Sequence, residues 1–126
     1  MRIIGFQKKW QKLSNHEFTT FRFTRRDKRD WQVGELVQVV YKPRRKGGGE
    51  VLGIAKIINK EKRELDKEYF DFTEDGVSLI TDDEAIEDGF LDVSDMVKWL
   101  EKIYGRLDWM PRMNKLTLKW IKDEIL

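Results

Sequence analysis

Residues 36–60 read LVQVVYKPRRKGGGEVLGIAKIINK, and the fold class turns on them. Leu36–Lys42 alternates, with Val37, Val39 and Tyr41 on one face, as a half-buried strand does. Pro43 to Gly49 forbids regular structure, because proline lacks an amide donor and three consecutive glycines favour a turn or flexible tip. Glu50–Lys60 resumes β character, rich in Val and Ile, with Gly53 a candidate bulge. Two such runs on a short link predict a hairpin, and with it a mainly antiparallel sheet.

Toward the N-terminus, Arg2–Phe6 is a short strand. Gln7–Ser14 carries Trp10 and Leu13 at helical spacing and stops at Asn15, which predicts a short helix. Glu17–Thr24 alternates again: Phe21 and Phe23 point one way, and Thr20, Arg22 and Thr24 the other. Arg25–Asp30 is too charged to bury and predicts a loop. Trp31–Glu35 is a turn into the hairpin. Toward the C-terminus, Tyr69–Phe72 is a short strand and Glu74–Gly76 a turn. Thr81 with Glu84 three residues on has the spacing of a capping box, acids fill the first turn, and Gly89 ends that helix. Ser94 is the expected cap of a second helix. There Val93, Met96, Val97, Leu100, Ile103 and Tyr104 recur at spacings of three and four until Gly105. Lys115–Ile121 closes the chain as a strand facing inward through Leu116, Leu118 and Trp120. The expected fold is mainly β (α+β): an antiparallel barrel of about six strands with short flanking helices.

The length of 126 residues predicts a single domain over 1–126 with one proper core. Five Trp, three Tyr and seven Phe argue for a packed globule. Cysteine is absent, which excludes thiol catalysis, disulfides and thiolate zinc sites. His16 is the single histidine, so no metal site is expected and no cofactor is implied. The opening MRIIGFQKKW is too short an apolar run for a signal peptide, and no stretch is apolar enough to span a membrane. The expectation is a soluble, cytoplasmic protein without a membrane partner, with a monomer favoured. Its abundance of Lys and Glu also hints at a thermophilic source. Charge is unevenly spread. Residues 1–63 hold 17 Lys/Arg against six Asp/Glu, a balance of +11, and residues 64–126 hold eight against 17, a balance of −9. Either the basic part binds a polyanion, or the two halves interleave in the fold and neutralise each other.

The order of motifs resembles the ASCH domain family over roughly residues 3–121. A strand and helix lead to a polar-faced strand carrying Arg. WQVGE, the hairpin, ITDDEAIEDGF and an amphipathic helix ending in Tyr-Gly follow. The resemblance implies a PUA-like β-barrel that binds RNA or nucleotides in a cleft. It also implies a possible hydrolase of acylated cytidines such as N4-acetylcytidine, since some small bacterial members act so. The family's signature, Gly-x-Lys and a Thr-rich run to Arg, falls on Asn15, Glu17, Thr20 and Arg22. Thr20 and Arg22 match it. Glu17 stands where the family carries Lys, and it can serve as a base but not supply a cation. The assisting acid falls near Glu87 or Asp88.

The residues carry two principal readings. In the first, an RNA- or nucleotide-binding module, Arg22 grips phosphate bidentately between Thr20 and Thr24, whose hydroxyls face a base edge. Arg25, Arg26, Lys28 and Arg29, with Lys42, Arg44, Arg45 and Lys46, track a phosphate backbone from two loops. Trp31 and Tyr41 either stack a base or pack in the core. Arg22 alternatively belongs to an ion pair with Glu35 or Asp88. In the second reading an amidohydrolase uses Thr20 as nucleophile and Glu17 or Asp88 as base. Whether the chain is an enzyme stays open at this point. A third class, a protein-interaction domain, rests on the charge asymmetry alone.

Overall fold

The computed structural model describes residues 1–25, 29–44, 46–65, 77–107 and 111–121. The hairpin is there, and longer than expected: β3 (Leu36–Tyr41) turns back into β4 (Glu50–Glu64), which carries the strand through the charged residues 61–64. Their register shifts between Val39 and Val40, beside Gly53, which has φ +152°. In the turn, Gly49 (φ +79°) has no room for a side chain. A Cβ there would meet the carbonyl oxygens of Tyr41 and Lys42 at 2.5 Å.

Around the hairpin stand β1 (Arg2–Phe6), β2 (Glu17–Phe23) and β5 (Arg112–Trp120), in the order β1-β3-β4-β5-β2. Three of the four pairings are antiparallel. The fourth, β1 on β3, is parallel, so the sheet is mixed. The chain is mainly β, and the described residues form a curled five-stranded half-barrel rather than a closed barrel of six. The strand expected at Tyr69–Phe72 lies outside the described residues.

Curling is visible in what meets across the gap. β1 and β2 are opposite ends of the sheet, yet the rings of Phe6 and Phe18 lie 6.2 Å apart. Ile4, Phe6, Phe18, Val37, Val39, Ile57, Leu116 and Leu118 share one buried cluster inside the curl. A second cluster lies on the other face of β2 and β5, where Phe21 and Met113 pack under α1 (Asp82–Asp88) and α2 (Val93–Tyr104). Both faces of β2 are therefore covered. Alternation along this strand separates two cores rather than core from solvent: Thr20, on the face of Phe18, is only 3% exposed.

The helix signals were local and mostly legible. Thr81 and Glu84 form the capping box, and Gly89 ends α1 in the left-handed region. α2 is capped by Asp92, not Ser94. The Asp92 carboxylate accepts the Asp95 N–H at 2.8 Å, which leaves Ser94 inside the first turn. The helix expected over Gln7–Ser14 shrinks to one 3-10 turn, Gln11–Ser14.

Candidate functional site

Where the five described strands stop short of closure, the two edges of the sheet leave a cleft of about 90 Å3. Gly5, Phe6 and Gln7 of β1 stand on one side, and Thr20 to Phe23 of β2 on the other. Trp10 and Lys12 close one end. Asp88, Phe90 and the α2 residues Trp99, Ile103 and Tyr104 cover the rest. Trp10 packs edge-on against Phe90 and Trp99, with centroids 5.1 and 5.3 Å away. Tyr104 packs edge-on against Phe23 at 5.3 Å and is 61% exposed, so an aromatic ring marks the rim.

Inside, Lys12 Nζ donates to Asp88 Oδ1 at 2.7 Å, and both side chains are only 6% exposed. Thr19 Oγ1 donates to the same carboxylate oxygen at 3.4 Å. Burial pushes the Asp88 carboxyl above the usual range and the Lys12 amine below it, and their mutual attraction opposes both shifts. Arg22 is held differently. Its Nε donates to Thr20 Oγ1 at 3.3 Å and its guanidinium lies 4.7 Å over the Phe6 ring. Burial lowers its pKa, countered by Tyr104 and Asp88, and the group stays cationic. Among the described residues no carboxylate forms a salt bridge with Arg22. Asp88 is taken by Lys12, and Glu35 by Arg2 at 2.6 Å. Two cations and one carboxylate give the cleft a net positive charge.

The structure brings Thr20, Arg22 and Asp88 to this one cleft. Glu17 is exposed at the start of β2 and does not line it. Thr24 and Arg25 line a second depression, of about 160 Å3, with Asp30, Lys62, Arg63 and Arg112. There Arg63 is held by Glu84 at 3.1 Å, and Asp30 by Lys60 at 2.9 Å. The Arg29 carbonyl accepts from the Arg2 guanidinium, which ties that loop to β1. Arg44 and Lys46 are exposed in the hairpin turn. That turn packs against β1, since a Cβ on Gly5 would come within 2.7 Å of Pro43. Arg26, Lys28 and Arg45 lie outside the described residues. Trp31 is 9% exposed in the inner cluster, stacked under Arg2 at 4.2 Å, so it faces the core and not the cleft. Tyr41 lies 5.1 Å under Lys9.

Lys12 was missed. At one residue from Leu13 and two from Trp10 it reads as the solvent side of a short amphipathic helix. Only the 3-10 geometry and the placement of Asp88, 76 residues away, turn it inward. Nothing in the local sequence marks it. Among the described residues no group of three or more His, Asp or Glu could hold a metal ion. The described helices include none long and apolar enough to cross a membrane.

Compared with family models, curated proteins and solved structures, the chain matches none.

Proposed function

We propose that this chain is a nucleotide- or RNA-binding module of the ASCH type, its half-barrel being the described part of a PUA-like barrel, working as a monomer inside the cell. The observation that carries the reading is Arg22. It is a half-buried guanidinium, buttressed by Thr20 and Phe6, with no carboxylate of its own among the described residues. A buried unpaired charge is costly, and an anionic ligand would relieve it. Phosphate suits the planar fork of Arg. The exposed ring of Tyr104 at the rim offers a stacking surface for a base.

The test is fluorescence titration of labelled single-stranded RNA at rising salt. Binding should weaken steeply with ionic strength, and Arg22→Ala should weaken it about 10–100-fold at constant salt. Salt-independent binding, or an unaffected Arg22→Ala, would count against the reading.

A second reading, hydrolysis of an acylated cytidine-type amide, is favoured by Lys12. It puts a cation into the cleft beside Asp88, where the strand position Glu17 supplies none. Thr20 would be the nucleophile. Acetate release from N4-acetylcytidine that disappears in both Thr20→Ala and Lys12→Met would support it; no turnover at high enzyme concentration would remove it.

A further inference from the structure

Thr24 N–H donates to the Arg112 carbonyl at 3.2 Å, and Trp120 N–H to the His16 carbonyl at 3.1 Å. Between these two bonds β2 and β5 pair without a register shift. In an antiparallel ladder, opposed residues alternate between pairs that exchange backbone hydrogen bonds and pairs that do not. Positions 16 and 24 are bonded to β5, so 18, 20 and 22 are bonded too. Thr19, Phe21 and Phe23 therefore turn their N–H and C=O groups away from β5, toward the side of β2 that no described strand covers. Phe21 is among the residues that line the cleft between this edge and β1. Phe21 is 7% exposed, and the described residues supply no backbone partner for its outward pair. Main-chain groups of buried residues are nearly always satisfied, by protein, water or ligand.

We infer that the Phe21 main chain reads the edge of a nucleobase, its N–H donating to a ring acceptor and its C=O accepting from the neighbouring ring donor. This rests on the nucleotide-binding reading and names what that site selects. The simplest such edge is the lactam of uracil, where a carbonyl and an N–H stand side by side. Size agrees: about 90 Å3 is far below the roughly 300 Å3 of a pocket that encloses a drug-sized ligand, so one ring enters and the sugar stays outside. The phosphate end then falls to Arg22, whose own backbone is committed to β5. An added peptide strand fits poorly. The Thr19 side chain is tied to Asp88, and the outward-facing positions of β2 within the cleft lining are Phe21 and Phe23, too few for a strand.

The experiment is calorimetric titration of the full chain with uridine 5′-monophosphate, its N3-methyl analogue and ribose 5-phosphate, alongside amide NMR spectra of the 15N-labelled protein. The N3-methyl analogue should bind at least about tenfold more weakly than the parent nucleotide. The Phe21 amide proton should shift downfield only with the parent. Equal affinity for the two nucleotides, or an unmoved Phe21 amide in the saturated complex, overturns the inference. Ribose 5-phosphate binding that is lost in Arg22→Ala would in that case leave the nucleotide-binding reading standing. No binding of any of the three overturns both.

Discussion

Lys12 and Asp88 show how much a single buried pair can hold. Among the described residues they form the one salt bridge of the cleft, at 2.7 Å and 6% exposure, with Arg22 a more distant cation acting on Asp88. Lys12→Met leaves a buried carboxylate uncompensated and should cost about 3–5 kcal/mol in urea unfolding. Lys12→Met combined with Asp88→Leu removes both charges and should recover most of that loss. If the two single costs simply add in the double variant, the pair is not coupled. Glu35 answers to pH. The Arg2 hydrogen bond is the main reason its carboxyl sits below the usual 4.5. A depressed carboxyl contributes stability above its unfolded pKa and loses it as pH falls through the folded value. The melting temperature should therefore fall below about pH 4.5, and Glu35→Gln should flatten that acid limb. Thr20, Arg22 and Asp88, which line one cleft, were singled out by the resemblance: the first two fall on its strand signature, and the acid was placed near Glu87 or Asp88. Lys12 was not, because its partner is supplied by a helix far along the chain. Trp31 was placed only by the structure, since a Trp beside arginines fits a core and a stacking platform equally well.

At the level of elements, punctuation was more legible than facing. The hairpin, the Thr81 cap and the two glycine stops are written in residues whose conformational preferences are strong and local. β2 was harder to read, because a strand between two cores alternates just as a half-exposed one does. Gly89 illustrates the tightness of these joints. Its φ of +111° disfavours any side chain, and a Cβ would lie 2.6 Å from the Trp10 ring. Gly89→Ala should cost about 2–4 kcal/mol by chemical denaturation, and displacement of Trp10 should shift the tryptophan emission. An unchanged spectrum with unchanged stability would mean that Trp10 is not held there. Thr81→Ala, which removes one half of a capping box, should cost only about 1 kcal/mol.

At the scale of the whole molecule, the two oppositely charged halves of the sequence meet at several points among the described residues. Lys12 of the basic half meets Asp88 of the acidic one, and Arg63 meets Glu84, which also takes Lys115 at 2.8 Å. Such crossings neutralise part of the asymmetry inside the fold, which sequence halves alone could not reveal. The positive charge left in the cleft is local, two cations against one carboxylate. The parallel pairing of β1 with β3 also bears on the order of assembly. β1 bonds to a strand some 35 residues later, whereas β4 and β3 are joined by a tight turn. Closing so long a loop costs entropy before any contact is gained. The N-terminal strand should therefore dock after the hairpin and come off before it. In native-state hydrogen exchange, the amides shared by β1 and β3 should open together at lower free energy than those shared by β3 and β4. Half of the cleft wall would leave with them, so ligand added to the protein should slow exchange in the first strand most of all.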